Sequence, residues 1–215
     1  MQICYNISVK LSDYQAKVFS GQWNFPVFTQ SCPICGGKNC AIRHGYYDRW
    51  AYSFKEQRWI EVPIARYICR RKGKPDSPTS HRTFSLLPSC LSAYQQYDIY
   101  CLLSAAALIV QKQLSFFQAA QRLSEQMADD SFNFEAVNVA RCTALFQTAC
   151  LKLQYFNKEL NVPDDLFALN KLISQDDLPL YLSGFFEKTG RFLFGTPSQH
   201  RGRTAPGKPQ PGIFR

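Results

Sequence analysis

Cys32-Pro33-Ile34-Cys35-Gly36-Gly37 places two thiols two residues apart on a Pro/Gly turn, the spacing at which both thiolates reach one metal ion. Tetrahedral closure needs two further soft or borderline donors. Cys69 ends an alternating apolar stretch, Ile60, Val62, Ile64 and Ile68, which reads as a strand running back past the first pair, so Cys69 is the expected third ligand. The basic, Pro-rich segment 70–80 then reads as a loop returning at His81, the expected fourth. Cys40, His44 and Cys90 compete for that place, although Cys40 lies so close to Cys35 that three ligands would crowd onto one knuckle. The expected site is Cys32, Cys35, Cys69 and His81 around Zn2+. A redox pair should follow a strand and open a helix, whereas Gly36-Gly37-Lys38-Asn39 is a poor helix start and a good knuckle turn.

Cys4, Cys101, Cys142 and Cys150 are scattered singly among apolar residues, as small buried hydrophobes are. An odd total of nine cysteines argues against a disulfide scaffold, and the first residues carry no basic and then apolar export pattern, so a reduced, cytoplasmic setting is expected. The longest apolar run, about 99–110, is interrupted by Ser104 and is shorter than a membrane span, so no membrane partner is expected.

The formal charge of +9 is unevenly spread. Residues 31–82 hold eleven lysines and arginines against four acids, and 191–215 hold five against none, while 83–190 are net acidic. Positive charge clustered in this way is the footprint of a surface that meets phosphates. Arg43, Arg49, Arg58, Arg66, Arg70, Arg71, Lys72 and Lys74 are the candidate contacts, and the interleaved Tyr46, Tyr47, Trp50, Tyr52, Trp59 and Tyr67 offer faces for stacking or for packing a thin core.

After Pro88 the apolar spacing changes from alternate residues to intervals of three and four, which predicts a helix over about 91–114. Ser115 and Gln118 have capping-box spacing and predict a second helix start; a third is expected over about 134–157. The last two are compatible with a helix-turn-helix in which Arg141, with Asn138, Thr143 and Gln147, faces a DNA groove, although 124–132 is longer than the usual turn. The expected architecture is α+β: a lead segment (1–30), a zinc ribbon of short antiparallel strands (31–90), a helical bundle (91–160), an apolar segment (161–195) and a basic, Pro/Gly-rich tail (196–215).

Cys32-Pro33-x-Cys35, His44-Gly45-Tyr46-Tyr47-Asp48-Arg49, Arg66-Tyr67-x-Cys69 and Thr83-Phe84-Ser85-Leu86-Leu87-Pro88 together resemble the N-terminal zinc-ribbon region of bacterial insertion-sequence transposases and related small mobile-element proteins. The likeness covers about 31–123, with the helical part carried by Leu114 to Leu123. In those relatives a close pair of cysteines precedes the Thr-Phe-Ser segment; here His81 stands at the second of these positions. The resemblance implies a zinc-dependent protein that binds nucleic acid, DNA in the first instance, or that partners a transposase. Transposases of this type cut DNA with three carboxylates on a strand-rich catalytic domain, and the sequence after Leu123 reads as mainly helical, so no nuclease activity is expected. No phosphate loop, Ser-His-Asp set or His-Glu-x-x-His motif is present either.

Overall fold

The computed structural model describes residues 2–6, 10–20, 25–70, 83–92, 95–127, 134–160, 178–189 and 192–194. Its elements are β1 (Gln2–Tyr5), α1 (Leu11–Phe19), β2 (Ala41–Ser53), β3 (Arg58–Cys69), β4 (Thr83–Pro88), α2 (Ile99–Val110), α3 (Phe116–Gln126), α4 (Ala136–Leu160) and α5 (Leu178–Thr189). The strands form one sheet in the order β1-β4-β3-β2. β2 and β3 pair antiparallel along nearly their whole length, from Ala41 opposite Cys69 to Ser53 opposite Arg58, and β4 adds to β3 with Ala65 opposite Leu86. β1 runs parallel to β4, Gln2 beside Ser85.

This α+β sheet differs from the expected ribbon in two ways. Its two principal strands are 13 and 12 residues long, and the supposed lead segment supplies an edge strand and a helix. The reason lies in α1, whose Leu11, Tyr14 and Val18 recur at helical spacing on one buried face. Tyr14 donates its hydroxyl to the Pro63 carbonyl at 2.9 Å, and Gln15 donates to the Glu61 carbonyl at 2.8 Å, so α1 is stitched to β3. Pro63 lies beyond the β4 register, where β3 is paired only with β2 and a missing N–H is tolerated.

Alternation along β3 divides the interior into two clusters. Ile60, Val62 and Ile64 join Leu11 and Tyr14 of α1, Leu102 and Leu103 of α2, Leu123 of α3 and Phe146 of α4 in the larger one. Ala65, Tyr67 and Cys69, of opposite parity, join Ile3, Phe84, Leu86, Cys32 and Cys40 in the smaller. Tyr67 stacks on Phe84 with ring centroids 5.5 Å apart and planes 13° apart, and Phe28 packs 4.8 Å from Phe84. The helices therefore share one continuous core with the sheet.

α2 starts later than apolar spacing alone suggests, because Asp98 is its N-cap: the carboxylate accepts from the Cys101 amide at 2.9 Å and from the Phe54 amide, in the β2–β3 turn, at 2.9 Å. Asp98 is 1 % exposed, and burial raises its carboxyl to about 7 against the opposing pull of those amides. Ser115 and Gln118 do form a capping box, Gln118 accepting from the Ser115 amide at 3.0 Å and donating its own amide to the Ser115 hydroxyl at 3.3 Å. α2, α3 and α4 pack on one another.

The helix-turn-helix expectation finds no support. Residues 127–135 separate α3 from α4, well beyond a three- or four-residue turn, and Thr143 is buried with its hydroxyl donated to the Val139 carbonyl at 2.9 Å. The expected basic tail and all of 161–177 lie outside the described residues, as does the segment 71–82. No described helix is long and apolar enough to cross a membrane.

Asp98 fastens a helix start to a hairpin turn through two backbone amides, those of Cys101 and Phe54. Replacement of Asp98 by Ala is expected to lower stability by about 1–3 kcal/mol, read as a lower urea midpoint with an unchanged slope. An unchanged midpoint would mean that the clasp contributes nothing.

Candidate metal centre

Four sulfurs converge at the end of the β2–β3 ladder. The Sγ atoms of Cys32, Cys35, Cys40 and Cys69 all lie within 4.8 Å of one another. Cys35 is 3.2 Å from Cys40 and 3.5 Å from Cys69, and Cys69 is 4.0 Å from Cys40. A tetrahedral ion with Zn–S bonds near 2.3 Å places its sulfurs about 3.8 Å apart, so these separations bracket those of a four-thiolate site. Four cysteine sulfurs and no oxygen donor select zinc or iron over calcium and magnesium.

Local chain geometry explains the convergence. The Gly36 amide donates to the Cys32 carbonyl at 2.7 Å and the Cys32 amide to the Gly37 carbonyl at 2.9 Å, closing a knuckle around the first pair. Gly36 has φ 70°, a left-handed conformation that glycine adopts without strain, and Asn39 at φ 58° supplies a second such turn. These two turns carry the chain back so that Cys40 enters the site from the foot of β2. Ala41 pairs with Cys69, and the Arg70 amide donates to the Cys40 carbonyl at 2.7 Å, so the third and fourth sulfurs are set by the sheet register.

Cys32, Cys40 and Cys69 are buried, and Cys35 forms the exposed rim. Amide hydrogen bonding from Gly37, with the neighbouring thiols, draws the Cys35 thiol down to about 7, whereas its hydrogen bond to Cys35 and burial push the Cys40 thiol up to about 12. The two sulfurs lie in hydrogen-bond contact, and either can donate to the other. Metal binding displaces such protons and couples the folding of the loop to the ion.

Three of the expected ligands, Cys32, Cys35 and Cys69, are brought together, and His81 lies outside the described residues. Cys40 provides the fourth sulfur. The crowding objection to it presumed a single knuckle, whereas the left-handed turns at Gly36 and Asn39 place Cys40 at the foot of β2, beside the end of β3. Its signal in the sequence was its position immediately before the long strand that pairs with the one ending in Cys69. His44 is exposed at the irregularity between Arg43 and Gly45, and Cys90 belongs to the helix-side core.

The expected phosphate contacts divide sharply. Arg43 is folded inward: its guanidinium donates to the carbonyls of Phe25 (3.1 Å) and Pro26 and to the hydroxyls of Tyr46 and Tyr67, the latter at 2.8 Å, lying 4.9 Å from each of those two ring centroids. Arg49 is 3 % exposed and donates to the carbonyls of Ser92 (2.7 Å) and Gln95. Both are structural ties, a correction to their place among the surface cations. Arg58 is exposed and 3.4 Å from Glu56, Arg66 is exposed and donates to the Thr83 hydroxyl at 3.3 Å, and Arg70 and Arg141 are exposed. Arg71, Lys72 and Lys74 lie outside the described residues.

The aromatic residues are largely claimed by the core. Tyr52 is fully buried and meets Trp59 edge-on at 5.5 Å, Trp59 lies 6.2 Å from Tyr97, Tyr46 donates to the Phe25 carbonyl at 2.8 Å, and Tyr47 accepts from Gln2 at 3.2 Å. No protein-family model, curated protein or solved structure matches this chain.

Replacement of Cys40 by Ser is expected to weaken metal retention beyond the ~10–100-fold typical of losing an outer-shell partner, as are the same changes at Cys32 and Cys69. His81→Ala should retain more metal than Cys40→Ser. Metal content of the purified variants by mass spectrometry checks this, and the reverse ranking would return His81 to the ligand set.

Proposed function

We propose that the chain is a zinc-dependent, non-catalytic DNA-binding protein, an accessory or regulator of mobile-element origin, in which the ion clamps the end of the sheet from which its basic surface emerges. The observation that carries this reading is the hydrogen bond from the Arg70 amide to the Cys40 carbonyl, one residue beyond the ligand Cys69. The clamp thus fixes the point where the run Arg70-Arg71-Lys72-Gly73-Lys74 leaves β3. Arg66, exposed four residues earlier, has the same strand parity as Arg70 and extends the positive surface along β3.

Zinc suits the role because it is redox-inert and tolerates a closed four-thiolate shell, which holds structure and leaves no position for a substrate. The residues that would hold it are Cys32, Cys35, Cys40 and Cys69; the chemistry it would supply is a cross-link among the knuckle, the foot of β2 and the end of β3. The contacts to nucleic acid would be made by Arg66, Arg70 and the lysines and arginines that follow, through phosphate charge neutralisation.

A second reading, a protein-interaction module that partners a transposase or another enzyme, is favoured by exposed apolar side chains on the helices. Phe117 is 73 % exposed at the start of α3, and Leu151 is 66 % exposed on α4.

Fluorescence anisotropy of the zinc-loaded chain with short DNA duplexes separates the two. The expected result is an affinity that falls by at least about tenfold between low and moderate salt, and falls again when Arg66 and Arg70 are replaced by Glu or the metal is removed. Arg141→Glu, on the far helix, should have a smaller effect. Binding absent even at low salt would overturn the DNA reading in favour of a protein partner.

A further inference from the structure

The nine cysteines differ greatly in their access to small oxidants. Cys4, Cys90, Cys101, Cys142 and Cys150 are buried, and burial raises each thiol, to about 12 for Cys4 and Cys142 and about 11 for Cys150. Such thiols are poor nucleophiles. Within the metal centre Cys32, Cys40 and Cys69 are also buried, and Cys35 alone stands on the exposed rim. Behind its sulfur, at 3.2 Å, lies the sulfur of Cys40, with that of Cys69 at 3.5 Å. An accessible sulfur backed by a second at contact distance is the arrangement of a peroxide-reacting cysteine and its resolving partner.

We propose that Cys35 is a peroxide-modification site and that its oxidation onto Cys40 dismantles the metal centre, an inference that rests on the four-sulfur metal site and not on DNA binding. In the first step the Cys35 thiolate attacks one oxygen of hydrogen peroxide; an S–O bond forms, the O–O bond breaks and hydroxide leaves, giving a sulfenic acid. In the second the Cys40 thiolate attacks the Cys35 sulfur; the S–S bond forms, the S–O bond breaks and a second hydroxide leaves. Two electrons from two thiolates reduce one peroxide, and two solvent protons convert both hydroxides to water. The ion keeps its charge but loses two of four donors.

The consequence is local. Cys32 and Cys69 alone cannot close a tetrahedron, so the knuckle and the end of β3 are released from each other while the larger core, which has no buried member in common with the smaller cluster and meets it only through the partly buried Tyr5 and Tyr46, is retained. Oxidation therefore acts on the Cys32–Cys40 loop and the end of β3 and leaves the helices folded.

The test uses the full metal-loaded chain, titrated with hydrogen peroxide while a chromogenic chelator reports released ion and peptide mapping by mass spectrometry reports the state of each cysteine. The expected result is that metal release rises in step with a Cys35–Cys40 disulfide, that dithiothreitol and fresh zinc reverse it, and that Cys150→Ser behaves as the wild type. Metal retained while other cysteines oxidise, or metal released with Cys35 unmodified, would overturn the proposal. A chain carrying no metal before peroxide is added would overturn the metal site itself, and with it this inference.

Discussion

β3 is buried on both faces, and its pleat is the constraint on which the molecule depends. Side chains of one parity, Ile60, Val62 and Ile64, enter the helix-side core, and those of the other, Ala65, Tyr67 and Cys69, enter the small cluster that contains the sulfurs. A slip of one residue in its pairing with β2 would carry Cys69 to the wrong face and leave Cys40 facing no partner. The long ladder from Ala41–Cys69 to Ser53–Arg58 thus does two things: it anchors the helices and it holds two sulfurs of the four-cysteine cluster at its open end.

The two faces differ in how well they stabilise themselves. The helix side draws apolar residues from α1 to α5, enough for an ordinary core. The sulfur side has a smaller buried set behind its cysteines, Ile3, Ala65, Tyr67, Phe84 and Leu86, with partly buried side chains such as Phe28 and Ile34 packed around it. Aromatic stacking of Tyr67 on Phe84 and the Arg43 tie from the Phe25–Pro26 carbonyls to Tyr46 and Tyr67 strengthen it, but the Cys32–Cys40 loop itself contributes few apolar groups. A metal cross-link is the usual remedy for so thin a layer. Neither face is optional, since the strand between them is common to both.

Much of this was legible in the sequence where a local rule governs it. The Cys32–Cys35 knuckle, the alternation leading to Cys69 and the Ser115–Gln118 capping box each follow from short-range spacing, and each is realised. What could not be read was long-range. That Gln2–Tyr5 would lie parallel to β4 depends on residues more than eighty positions away, and no local pattern in four residues announces it. Cys40 was discounted because spacing along the chain stood in for position in space; two left-handed residues, Gly36 and Asn39, undo that equivalence. The start of α2 was misplaced because apolar spacing continued through Leu91, whereas the Asp98 cap, bonded to a distant hairpin turn, decides where the helix begins.

The fate of the arginines bears most on function, because a count of positive charge does not distinguish a cation that meets solvent from one that serves the fold. Arg43 and Arg49 sit within the most basic stretch of the chain, yet their guanidinium groups bond backbone carbonyls outside the strand ladders, those of Phe25 and Pro26 and those of Ser92 and Gln95. Arginine suits this because its planar fork satisfies several acceptors at once. Subtracting them does not erase the positive surface; it relocates it. Of the exposed cations that remain, Arg58 starts β3 beside Glu56, whereas Arg66 and, one residue past the strand, Arg70 lie toward its sulfur end, and the sequence adds Arg71, Lys72 and Lys74 directly beyond. Charge and metal centre therefore coincide at one end of the sheet, and a ligand drawn by that charge would meet a surface whose shape the four cysteines set.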